Sequence, residues 1–142
     1  MWYIVSTGIG ISLLTSKLFS KTIDMSLDQL GNIYLFMRNN ENILIRKYYD
    51  DLESFDIEFK LKYVDNWLNK NKDNTIDMYL YNGISENCNK ITSIIQDINN
   101  KIGEHKLKWF HKWRTLYLDD EINMLRKTCI ILNERIKLIG LK

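Results

Sequence analysis

Proline is absent from this 142-residue chain, which removes the commonest punctuation of loops and sheet edges. Long helices are what such a sequence favours. Alanine is missing as well, while Lys, Asn and Ile abound, a bias of AT-rich coding DNA that speaks to source and not to mechanism. The 2 cysteines, Cys88 and Cys129, stand alone in apolar stripes without paired spacing. Neither a disulfide framework nor a zinc site is indicated, and both read as free buried thiols. The 2 histidines, His105 and His111, are too far apart in sequence to share a helix face as ligands three or four apart would, and no Cys or carboxylate completes a set, so no metal is expected. Charge of one sign is also lacking. A net +2 excludes a chain-wide field for nucleic acid or acidic substrates, so any basic partner site must be local.

Enzyme motifs are missing too. Gly8 and Gly10 form a GxG with no third glycine, preceding strand or downstream acid, and no GxxxxGK[ST] occurs. Asp50-Asp51 and Asp119-Asp120-Glu121 read as helix-end and surface carboxylates, and no nucleophile, base and orienting group come together. The expectation is a protein without catalytic residues and without a cofactor.

What is present is a globular composition, with 45% hydrophobic and 27% charged residues, enough for one compact domain with a real core and one appendage. The candidate appendage is N-terminal. From Trp2 to Ser16 (WYIVSTGIGISLLTS) no residue is charged, and Lys17, Leu18, Phe19, Ser20 and Lys21 follow. A transmembrane helix needs about 20 predominantly apolar residues, a length reached here only if Leu18 and Phe19 count while Lys17 snorkels outward. Trp2 and Tyr3 would anchor one headgroup layer, Lys17 and Lys21 the other, with Gly8 and Gly10 among small residues four apart that permit close helix approach. Such a span puts Met1 outside and the body in the cytosol. A cleaved signal peptide fits worse, because no positive charge precedes the run. The competing reading is a buried helix or arm packed on the body or on a neighbouring subunit, in a virion or otherwise in the cytoplasm. Residues 1–21 are therefore expected to form an apolar helix, anchor or arm.

Residues 22–40 hold Ile23, Met25, Leu27, Leu30, Ile33, Leu35, Phe36 and Met37 without one clean period, interrupted by Gly31-Asn32, and read as a short helix or strand-like connector. Residues 41–142 read as a helical bundle. Ile43, Leu44, Lys47, Tyr48, Asp51 and Leu52 give a helical stripe over about 41–53, and Ser54 or Asp56 is placed to cap the next helix. That helix runs to about Lys70, with Ile57, Leu61, Val64 and Leu68 on one face and Phe59, Tyr63 and Trp67 forming a second stripe beside it. The run NKNKDN, 69–74, is the clearest loop. After it Ile76, Leu80, Ile84, Cys88, Ile91, Ile95, Ile98 and Ile102 repeat at steps of three or four, and a matching seam returns as Ile122, Leu125, Cys129, Leu132, Ile136 and Ile139. The pair predicts a long antiparallel helical hairpin over 76–139, with Asp119 and Asp120 as N-cap and first-turn charge of the last helix. The fold class expected is all-α.

Between the two seams lies GEHKLKWFHKWRTLYL, residues 103–118. Lys106, Lys108, Lys112 and Arg114 interleave there with Trp109, Phe110, Trp113 and Tyr117, a composition that can hold phosphate while rings stack on bases, or lie on an anionic surface. Arg114 is singled out because its planar fork can stack on a Trp while binding a carboxylate or phosphate. The plainer account is that Trp109, Trp113 and Leu116 extend the preceding apolar stripe along a continuing helix, leaving the lysines as a wet face.

The span Tyr48 to Ile139, with LESFDIEFKLKYV, HKLKWFHKWR and LNERIKL, resembles small uncharacterised helical proteins encoded by large DNA viruses; the Trp109-Phe110 and Trp113-Arg114 pairs carry most of it. The resemblance implies a helical fold and a virus-encoded, membrane-associated or virion protein, and transfers no activity and no catalytic residue. Residues 22–42 look extra against it. The function expected is thus a non-enzymatic structural or interaction protein, membrane-associated or part of a larger assembly, meeting a protein partner or another copy through its helices. The alternative is a small nucleic-acid or anionic-surface binder using residues 105–117.

Overall fold

In the computed structural model the described residues are 13–71, 76–108 and 114–140, with side chains described from Ser16 onward. They form an all-helical bundle of α1 (Leu13–Arg38), α2 (Ile43–Ser54), α3 (Ile57–Lys70), α4 (Met78–Leu107) and α5 (Asp119–Ile139). No strand occurs among the described residues.

The N-terminal reading is where sequence and structure part. Residues 22–38 are not a connector but the larger part of α1, whose inner face is Ser16, Phe19, Ile23, Ser26, Leu30, Ile33 and Met37, all buried. Those positions step three and four without a break, so the helix is amphipathic with two serines on its apolar side. Met25 and Leu35 point outward, and Gly31 faces open space, so it weakens the helix without ending it. The expected tether loses its inner part to the same helix. Phe19 is fully buried, Ser16 Oγ donates to Asn69 Oδ1 at 2.6 Å and Ser20 Oγ donates to Asp65 Oδ1 at 2.5 Å, so these turns are fastened to α3. No helix among the described residues is long and apolar enough to cross a membrane, and residues 1–12 lie outside them.

Asn39-Asn40 ends α1 as its composition suggests. Asn40 Oδ1 accepts the Asn42 N–H at 2.9 Å, and Asn42 Oδ1 accepts the Leu44 N–H at 2.8 Å, which caps α2. Helix α2 buries Ile45, Tyr48 and Leu52, while Ile43, expected in its stripe, is exposed. The elbow into α3 turns on Asp56, whose φ of 54° is left-handed, a conformation Asp tolerates better than most residues. Neither expected cap acts there: Asp56 makes no side-chain cap bond, and Ser54 Oγ donates back to Asp51 O at 2.6 Å. Helix α3 buries Ile57, Leu61, Val64 and Leu68 as their spacing requires, and leaves Phe59 and Tyr63 of the second stripe outside, stacked at 6.3 Å.

Helix α4 carries the longest buried row: Tyr81, Ile84, Cys88, Ile91, Ile95, Ile98, Ile102 and His105. Asp77 caps it by accepting the Leu80 N–H at 3.0 Å. Both α1 and α5 lie along it, and α2 and α3 close over α1 and reach α5, so one core joins all five helices. Two contacts set the direction of α5. Arg135, near its end, bonds Gly83 and Asn87 near the start of α4, whereas Glu121, at its beginning, takes Lys101 from late α4 at 2.6 Å, so the helices run antiparallel. Helix α5 buries Ile122, Leu125, Cys129 and Leu132; Ile136 and Ile139 pack on the core partly buried. Its N-cap is Leu118 and not Asp119, which stands in the first turn with Asp120 and Glu121 and favours the positive dipole end.

The work expected of an Asp119 cap is divided differently. Tyr48 of α2 donates its hydroxyl to Asp119 Oδ1 at 2.8 Å and accepts the buried Leu118 N–H at 3.1 Å, so one phenol seats the start of α5 from across the fold. Tyr81 is its opposite. Among the described residues its hydroxyl is the one buried side-chain polar atom with no hydrogen-bond partner. Replacing both by Phe separates the two situations. Tyr48→Phe leaves a buried N–H unpaired and is expected to lower the urea midpoint by the equivalent of about 1–3 kcal/mol, whereas Tyr81→Phe removes an unsatisfied hydroxyl and leaves the midpoint equal or higher. A lowered midpoint for Tyr81→Phe would show that its hydroxyl has a partner.

Candidate functional site

Of the residues the sequence marks for binding, the structure gathers part at one end of the bundle. Lys106 lies in the last turn of α4, its ammonium 5.0 Å from the centroid of the Phe36 ring of α1. His105, buried, meets the same ring edge-on at 6.5 Å. Lys108 is the C-cap of α4, its N–H bonded to His105 O at 3.2 Å and its side chain exposed. Arg114, also exposed, joins His105, Phe36, Asn39, Glu41 and Asn42 around a cleft of about 430 Å³. Trp109, Lys112 and Trp113 lie outside the described residues, as do Trp2, Tyr3, Gly8 and Gly10; Lys17 is on the exposed side of α1. The continuing helix of the plainer account is not seen, because α4 stops at Leu107 and residues 115–118 are non-helical, although Leu116 and Leu118 are buried.

The chemistry of this cleft is mixed. Asn40 and Asn42 on its wall are occupied in capping α2, Glu41 adds a negative charge beside Arg114, and Lys106 spends its charge over a ring. As lined by the described residues, it is not a one-sign groove of the kind that tracks a phosphate backbone.

At the other end, α4 and α5 frame a groove of about 560 Å³ between Tyr79, Leu80, Gly83, Glu86, Arg135 and Leu138. Arg135 is built into its floor. Its Nη1 donates to Gly83 O and to Asn87 Oδ1, both at 2.5 Å, satisfying an asparagine that is itself buried. A Cβ on Gly83 would stand 3.3 Å from the Cζ and Nε of Arg135, so the glycine lets the guanidinium lie flat on the helix. Tyr79 is 92% exposed on the rim and Leu138 50%.

Leu138 also ends a row that the inner seam conceals. Met124, Ile131 and Leu138 stand seven apart along α5 and are 55%, 46% and 50% exposed, and Ile130, further round the helix, is 58% exposed. These aliphatic side chains line the outside of a helix whose inside is already packed. The row is present in the sequence as a second heptad position, outside the more regular Ile122–Ile139 seam. The Tyr48 and Arg135 contacts had no such signal, because each depends on the register of two helices.

Among the described residues no three His, Cys, Asp or Glu side chains gather as a metal site requires. The two thiols are free and buried. Burial, and then the neighbouring Cys129, pushes Cys88 up, and burial pushes Cys129 up to about 11 against a smaller downward pull from Lys60. Burial likewise raises Tyr81 and Tyr48, each to about 12, and Tyr34 further still. Thiols held neutral in this way are poor nucleophiles.

No protein-family model, curated protein or solved structure matches this chain. The resemblance to viral helical proteins therefore gains no second observation.

The raised values give stability a definite pH dependence. Below about pH 9 these thiols and phenols are protonated in both states; above it the unfolded chain releases protons that the folded chain retains, so stability falls as pH rises from 9 toward 11 and 12. Urea midpoints should be level from pH 6 to 8 and drop progressively above 9, with iodoacetamide labelling both cysteines only after unfolding. A flat midpoint to pH 11, or labelling of native protein, would contradict this burial.

Proposed function

We propose that this chain is a non-enzymatic interaction or scaffold protein, a helical bundle whose C-terminal hairpin, 76–139, presents its outer side to a protein. One observation carries the reading: the Met124–Ile131–Leu138 row with Ile130 is aliphatic, exposed and regularly spaced on a helix that needs none of it for its own core. Scattered exposed apolar residues are ordinary on a soluble surface; three that recur at one heptad position lie along a single line of the helix, which a partner helix can follow. For residues 1–21, the packing-arm reading is favoured over the membrane anchor, since Phe19 and Ser16 belong to the bundle.

A second reading, binding of nucleic acid or an anionic surface through 105–117, draws on the exposed Arg114 at its cleft. It ranks lower because Glu41 and the Phe36-bound Lys106 reduce the free positive charge there.

A photo-crosslinking residue placed at Ile131, at Met124 or at the exposed Lys62 of α3 tests the proposal in producing cells. Adducts of higher mass are expected from the two α5 positions and not from Lys62; equal labelling at all three, or none, rejects it. A fluorescent single-stranded oligonucleotide should show no binding that weakens with salt, and binding that does so and is lost in K108A/K112A/R114A would favour the second reading.

A further inference from the structure

We draw no further inference here: the strongest candidate, the groove of about 560 Å³ between the start of α4 and the end of α5, sets Arg135 beside Asp77 and Glu86, so its lining selects no ligand charge, and nothing in the structure shows what covers it.

Discussion

The bundle depends on one thirty-residue helix having two occupied sides. The buried row of α4, from Tyr81 to His105, steps three and four throughout, and it is broad enough, with Ile94, Ser85 and Asn87 beside it, to receive α1 on one flank and α5 on the other. Remove that row and α1 and α5 are joined only through the smaller contacts of α2 and α3. Hydrophobic contact along α4 is the interaction that makes a single core from five pieces, and the polar contacts serve to fix its register.

Register is where the few polar contacts matter. Arg135 on Gly83 and Asn87 at one end, and Lys101 on Glu121 at the other, tie α5 to α4 at two levels. Tyr48 adds a third tie from α2 to the first turn of α5. A stripe of near-identical isoleucines could slide by a heptad with small loss of apolar contact. Directional bonds at fixed positions oppose such a slip, because losing the Arg135 bond to Asn87 or the Tyr48 bond to the Leu118 N–H would leave a buried polar group unpaired.

How much of this could be read from the chain alone follows from how cleanly each face repeats. Helices α3, α4 and α5 have inner faces of aliphatic residues at regular steps, and their spans and buried sides were legible to within a few residues. Helix α1 was not, because Ser16 and Ser26 sit on its inner face while Met25 and Leu35 sit outside, so apolarity and burial fall out of step. The uncharged run before Lys17 favours a membrane reading of residues 1–21, of which Phe19 lies in the core. At the candidate sites, Lys106, Lys108 and Arg114 were visible as surface cations by composition. That Phe36 would lie beneath Lys106, or that Arg135 would occupy the space beside Gly83, required the packing of helices distant in sequence.

Helix α4 is also a poor helix by its own composition. Isoleucine and asparagine recur throughout, two glycines interrupt it, and no alanine supports it, so the isolated segment has little intrinsic helicity. Its order is borrowed from the neighbours that need it. The bundle therefore has no autonomous half: a truncation that takes away α1 or α5 strips α4 of one of the two flanks that hold it helical.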